Sequence, residues 1–171
     1  MIMKRIARFE KISVSRWEED FRRLFPDKTA AETDEAYERV TIPTRATSGS
    51  AGYDLITPVD ISLMPGESIK IPTGIRVRMN EEYCLFIMPR SGLGSKFRFQ
   101  LNNTVGVIDS DYYFSDNEGH IFVPMINDSR EGKSLELKAG DAFTQGVLLC
   151  FGITEDDSAR ETRNGGFGST G

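Results

Sequence analysis

Ser68-Ile69-Lys70-Ile71-Pro72-Thr73-Gly74-Ile75-Arg76-Val77-Arg78-Met79 is the stretch that decides the fold class. Ile69 and Ile71, then Ile75, Val77 and Met79, alternate with polar residues. Successive side chains of a strand point to opposite faces, so the alternation predicts strands with one buried face. Just downstream, Tyr83-Cys84-Leu85-Phe86-Ile87-Met88 is almost continuously apolar, as a strand buried on both faces would be. Working outward, further strands are predicted at 105–108, 121–126, 134–137 and 146–153. Met64-Pro65-Gly66-Glu67, Asp128-Ser129-Arg130-Glu131-Gly132 and Lys138-Ala139-Gly140-Asp141 supply turns between them. Many short strands so punctuated predict an all-β fold, either closed or built from two sheets.

Upstream of Val40 the pattern changes. Trp17, Phe21, Leu24 and Phe25 fall on one face at helical spacing, which predicts a helix over 15–25. Ser15 and Glu18 suit a capping box, and Pro26 ends the helix. A second, weaker helix is predicted over 30–39. The expected organisation is a helical segment at 1–39 packed on the core, a β domain at 40–162, and a glycine-rich arm at 163–171. That arm has no apolar face with which to offset its own ordering entropy, so it is expected to be mobile when alone.

Bulk properties narrow the partners. The chain has 171 residues, enough for one domain with a sizeable core. Its net charge of −5 disfavours nucleic acid as the main partner, because phosphate backbones reward a basic face. One histidine, His120, removes multi-histidine zinc sites and is expected to be a polar strand residue. Trp17 is expected to serve packing. Cys84 and Cys150 both sit in apolar runs and are expected to be buried free thiols. No apolar stretch reaches membrane-spanning length and no signal-peptide core stands at the N-terminus, so a cytoplasmic protein without membrane contact is the expectation.

Three segments carry chemistry. Pro89-Arg90-Ser91-Gly92-Leu93-Gly94-Ser95-Lys96 follows the strongest predicted strand. It offers a guanidinium fork, a hydroxyl and an approachable backbone amide, which are phosphate-binding groups. By itself it also reads as an ordinary turn; it matches neither a Walker A loop nor a dinucleotide fingerprint. Gly106-Val107-Ile108-Asp109-Ser110-Asp111-Tyr112 puts two carboxylates and a phenol at the end of an apolar strand. Asp109 and Asp111 would share a face by period two, and a carboxylate there suits a general base; an Asp-rich turn is the plain alternative. Asn164-Gly165-Gly166-Phe167-Gly168-Ser169-Thr170-Gly171 combines close backbone approach, hydroxyls and a ring that can stack on a base.

Together with Ala51-Gly52-Tyr53-Asp54-Leu55 and Gly140-Asp141-Ala142-Phe143-Thr144-Gln145, these segments resemble the five ordered motifs of the trimeric dUTPase family. The resemblance spans about residues 40–171. It implies a distorted jelly-roll-like β-barrel with a short N-terminal helical addition, a homotrimer with shared active sites, and Mg²⁺ held mainly by the substrate phosphates. It implies a dUTP diphosphatase, which makes dUMP and keeps uracil out of DNA. Asp109 would activate the water that attacks the α-phosphorus. Tyr112 would pack under the deoxyribose and exclude a 2′-hydroxyl. The backbone at Gly106 and Ile108 would read the uracil edge. Arg90, Ser91, Gly92 and Gln145 would hold phosphates, with Asp54 in support. Arg163, Phe167, Gly168, Ser169 and Thr170 would close over the nucleotide from another subunit.

The sequence departs from the family pattern in four places. Tyr113–Glu118 intervenes before Gly119, Ala142 stands where an arginine is common, Arg163 precedes Phe167 by four residues, and the N-terminal helices are added. The third-motif insertion is expected to lengthen a hairpin. The helices or residues 113–118 are expected to offer a surface for a protein partner. Two other readings compete: a dCTP deaminase on the same fold, for which no convincing pocket glutamate stands out, and a binding protein built on the scaffold.

Overall fold

Thr73 and Gly74 break the deciding stretch into two strands that join different sheets. In the computed structural model, which describes residues 4–161, β5 (Ser68–Pro72) pairs with β10 (Phe122–Asn127), whereas β6 (Ile75–Met79) pairs with β1 (Ala7–Lys11). Gly74 makes the break possible. Its φ of +69° lies in the left-handed region, and a Cβ there would come 2.6 Å from Val40 Cγ2. Ile71, Ile75, Val77 and Met79 are buried, as the alternation requires.

The remaining strands are β2 (Thr44–Arg45), β3 (Tyr53–Ile56), β4 (Ile61–Leu63), β7 (Tyr83–Pro89), β8 (Phe99–Leu101), β9 (Gly106–Ile108), β11 (Leu135–Leu137) and β12 (Ala142–Cys150). The largest sheet runs β2-β3-β12-β7-β9, and every recorded pairing between strands is antiparallel. β8 joins β10 and β5, and β4 pairs with β11. At the centre, β12 and β7 register from Thr144 opposite Pro89 to Cys150 opposite Tyr83. That pairing fixes the phosphate-binding candidates at one end of the sheet, because Gln145 and Arg90 follow directly from it.

The N-terminal region is a strand followed by a helical hairpin, α1 (Val14–Leu24) and α2 (Ala30–Glu38). β1 was not expected: Ala7-Arg8-Phe9-Glu10-Lys11 carries one apolar ring among charges, and its strand form comes from pairing with β6. The cap also differs. Ser13, not Ser15, accepts the Arg16 backbone amide, and Ser13 is held in turn by Glu118. The reciprocal capping box occurs on α2, between Thr29 and Glu32. Trp17 and Phe21 are fully buried in the same core as β6, β7 and β10. Trp17 also donates from Nε1 to the Thr33 carbonyl at 2.9 Å, tying α1 to α2.

Other expectations are corrected in detail. Residues 91–97 form a short helix, α3 (Ser91–Phe97), where a turn was expected. β12 begins four residues earlier and ends three earlier than the predicted 146–153. Cys150 is exposed near the end of β12, whereas Cys84 is buried; both are free thiols. Residues 113–118 do not extend a hairpin. They continue a 3₁₀ turn, Ser110–Phe114, and β9 pairs with β7, not with the strand that follows.

Candidate active site

Arg90 stands where β7 ends and α3 begins, and its direction is set on two sides. Its Nη1 donates to the Ala142 carbonyl at 3.3 Å, and its Nε lies 3.2 Å from Asp54 Oδ1. Ala142 thus meets this arginine through its carbonyl, which any residue could supply. Gln145, three residues along β12, donates from Nε2 to the Pro89 carbonyl at 3.2 Å. Gly52 lets it do so: a Cβ at position 52 would stand 2.4 Å from Gln145 Oε1.

Arg90, Ser91, Gly92, Gln145 and Asp54 line one cleft of about 880 Å³, together with Gly52 and Lys96. A Cβ built on Gly92 would meet nothing within 4 Å, so this stretch of backbone is approachable. Guanidinium, ammonium, hydroxyl, amide and exposed backbone around one carboxylate form a donor set for an oligophosphate. Lys96 and Gly52 were not singled out as site residues by sequence reasoning. Lys96 lay within the quoted run, but its facing into the cleft depends on α3, which the glycines at 92 and 94 concealed.

Asp109 lines a second cleft, of about 1000 Å³, with Ser110, Asp111 and Phe114. The opposite wall comes from the β1–β6 pair and the residues before it, including Arg5, Arg8 and Arg78. Asp109 and Asp111 do reach one cleft, but not by strand periodicity. β9 stops at Ile108, Asp109 caps the 3₁₀ turn, and Asp111 sits inside that turn. Arg5 and Arg8 were missed because their places depend on β1.

Behind the second cleft, Tyr112 is only 2% exposed. Its hydroxyl donates to the His120 carbonyl at 2.8 Å and accepts from Asn117 Nδ2 at 2.8 Å. His120 is not a polar strand residue; it is fully buried between α1 and the core. Ile108 is buried as a whole residue, pairs with Leu85 of β7, and lines neither cleft. Gly106, also buried, stands directly opposite Ile87 of β7. Arg163, Phe167, Gly168, Ser169 and Thr170 lie outside the described residues.

The two clefts share no lining residue. A single chain therefore separates the phosphate-binding groups from the carboxylate at 109. No group of three or more histidine, cysteine, aspartate or glutamate side chains gathers to hold a metal among the described residues.

Comparison with known proteins gives this geometry its family. The sequence model of the dUTPase family matches residues 38–171. The deoxyuridine 5′-triphosphate nucleotidohydrolase of Lactococcus lactis is 42% identical over 135 residues, covering 77% of this chain and 89% of the relative. That of Methylobacillus flagellatus is 41% identical over 136 residues, covering 76% and 87%. The crystal structure of dUTPase from Streptococcus mutans superimposes with a TM-score of 0.63 at 32% identity, over 86% of this chain and 98% of that one. A dUTPase from phage phi11 of S. aureus, described with a structural Mg(II) ion, shares the fold with a TM-score of 0.60 at 22% identity, over 72% and 92%. The residues that form the two clefts fall within the matched span, apart from the β1–β6 wall's N-terminal part, and the chain belongs to the dUTPase family.

Proposed function

We propose that this protein hydrolyses dUTP to dUMP and pyrophosphate, with Asp109 as general base, in an active site completed by neighbouring subunits. The observation that carries the reading is the pair of separate clefts. One offers phosphate donors with no second carboxylate among the motif residues, and the other offers the carboxylate. Assembly of a homotrimer would bring the first cleft of one subunit against the second cleft of another. Exposed apolar side chains near the second cleft, Val107, Phe114 and Phe151, support burial against such a neighbour. The jelly-roll-like barrel and the three-site arrangement belong to this same reading.

In the step itself, Asp109 takes a proton from water as the oxygen bonds to the α-phosphorus. The bond from that phosphorus to the bridging oxygen breaks, and pyrophosphate leaves with the electron pair. A positioned carboxylate base contributes typically about 10²–10⁴-fold. Arg90, Ser91, Gly92 and Gln145 hold the phosphates so that the α-phosphorus faces the water. Mg²⁺, when bound, would neutralise triphosphate charge, and Asp54, the carboxylate lining the same cleft as Arg90 and Gln145, would support it. Tyr112 forms the floor under the deoxyribose, and Gly106 and Ile108 present backbone to the uracil. The family motif assigns Arg163, Phe167, Gly168, Ser169 and Thr170, which lie outside the described residues, to closure over the nucleotide with Phe167 on the base. The reaction needs no membrane and no nucleic acid, and a cytoplasmic enzyme fits it.

Pyrophosphate release measured on dUTP, dCTP, dTTP and UTP with Mg²⁺ tests the reading. Turnover selective for dUTP supports it; ammonia release from dCTP would replace it with deamination. Asp109→Asn is expected to lower turnover by about 10²–10⁴-fold while dUTP still binds, and an unchanged rate would remove Asp109 from the mechanism.

A further inference from the structure

The added helix α1 is bound at several points along its length to the loop, Asp116 to His120, that follows the turn carrying Tyr112. At its start, Ser13 Oγ donates to Glu118 Oε1 at 2.6 Å, and the Ser13 amide donates to Glu118 Oε2 at 2.9 Å. One turn on, Arg16 Nη2 donates to the Asp116 carbonyl at 3.3 Å. Near its middle, Asp20 Oδ2 lies 2.7 Å from His120 Nδ1. Just before the helix, Glu10 Oε2 accepts from the Tyr113 hydroxyl at 2.8 Å. Partners on the 3₁₀ turn and the loop after it, from Tyr113 to His120, are thus covered by one N-terminal face.

The Asp20 contact reaches furthest. His120 Nε2 accepts the Gly74 amide at 3.0 Å, so its proton sits on Nδ1 and is donated to Asp20. With both ring nitrogens engaged, the imidazole has one orientation. Phe122 packs 4.1 Å from it, centroid to centroid, and Trp17 packs 6.2 Å away. A fixed ring fixes its own backbone, and the His120 carbonyl is the acceptor of the Tyr112 hydroxyl. Asp20 and His120 side chains are 1% and 0% exposed, so water cannot replace a lost partner.

We propose that Asp20 is a positioning residue of the active site: through the His120 ring it sets the His120 carbonyl, and so the Tyr112 ring and the Asp109 turn that precedes it. The N-terminal helix is then an internal brace of the third motif. This inference rests on the reading of Tyr112 as the floor of the deoxyribose pocket. Displacing that floor admits a 2′-hydroxyl, so the property it controls is the preference for dUTP over UTP. Misplacement of a reacting group by about 1 Å can cost on the order of 10²-fold in rate.

The test compares kcat and KM on dUTP and UTP for wild type, Asp20→Ala and Asp20→Asn, all in the full chain. Asp20→Ala removes the acceptor and is expected to lower kcat/KM for dUTP by about 10–100-fold. The dUTP/UTP ratio should fall with it. Asp20→Asn keeps an oxygen for Nδ1 and is expected to restore most of both. Glu118→Ala, at the exposed end of the brace, folds irrespective of the buried pair and should lower the dUTP/UTP ratio in the same direction. A folded Asp20→Ala with the wild-type ratio would overturn the inference, and so would an unaltered ratio in Glu118→Ala should Asp20→Ala not fold. Wild type that fails to release pyrophosphate from dUTP would instead sink the underlying reading of function.

Discussion

Arg90 Nε stands 3.2 Å from Asp54 Oδ1 inside the phosphate cleft, so the guanidinium is aimed by a carboxylate on the neighbouring strand pair. Both side chains are partly exposed, at 43% and 27%, and the pair's value lies in direction more than in stability. A guanidinium carries five donors in a rigid plane, and two of its nitrogens are engaged by Asp54 and Ala142. In the proposed reading the rest of the plane is left to phosphate. Lysine cannot hold that geometry, having three donors about a single point. Arg90→Lys is therefore expected to lower kcat/KM for dUTP by about 10–100-fold, the range of one charge-assisted hydrogen bond at about 1.5–3 kcal/mol. The unfolding midpoint should hardly move. Steady-state pyrophosphate assays check this, and wild-type efficiency would remove Arg90 from phosphate binding.

Gly52 separates activity from stability in another way. A Cβ at this position would stand 2.4 Å from Gln145 Oε1, the far end of a flexible side chain. Gly52→Ala can be accommodated by swinging Gln145 away from the Pro89 carbonyl. The cost in stability should stay below about 1 kcal/mol, within the usual range for a substitution outside the core. The cost in KM for dUTP should be larger, about tenfold, because the lost hydrogen bonds are worth on the order of 1 kcal/mol. Denaturant unfolding and dUTP titration on the same sample decide the matter. A variant that loses stability but keeps its KM would mean that Gly52 serves packing alone.

Strand alternation made the fold legible where one face is buried: Ile71, Ile75, Val77 and Met79 lie inside as their spacing requires. It could not show β1, because Arg8, Glu10 and Lys11 leave little apolar signal and the strand exists through its partner β6. The gathering of Arg90, Ser91 and Gly92 in one cleft was readable, since they are contiguous and chemically distinctive. Lys96 was hidden by a helix that begins Ser-Gly-Leu-Gly, a sequence with poor intrinsic helix propensity. His120 was misplaced for a different reason. Its partner Asp20 is 100 residues away in sequence, and nothing local marks a polar group whose neighbours arrive by tertiary packing.

The buried His120 makes a pH prediction with a definite sign. Burial holds its pKa below the ordinary value of 6.5, against the pull of Asp20, while Arg16 and Arg23 add to the lowering. The unfolded chain therefore binds more protons than the folded one once pH drops below about 6.5. Stability from this group is fully present above that pH and is lost as pH falls towards the lower folded value. His120 is the chain's single histidine, so its ring signals can be followed without ambiguity. In the folded protein their titration midpoint should lie below the ordinary 6.5, and the unfolding midpoint should decline as pH is lowered below 6.5. A ring that titrates at an ordinary 6.5 would show the Asp20 contact to be open to water.

The separate clefts lead to the sharpest prediction about assembly. Asp109 and Arg90 line cavities with no residue in common, so a shared site takes its base from one subunit and its phosphate grip from another. Asp109→Asn subunits and Arg90→Ala subunits should each be poorly active. When unfolded together and refolded as a mixture, some trimers will pair an intact Asp109 cleft with an intact Arg90 cleft across an interface. Those sites regain full chemistry, and random assortment sets their share: a quarter of interfaces at equal mixing carry both intact partners. Activity of the mixture should therefore rise to about a quarter of wild type, far above the mean of the two parents. Recovery should depend on refolding together and not on mixing the folded variants. A mixture no more active than its parents would place both groups in one chain's site and overturn the shared arrangement.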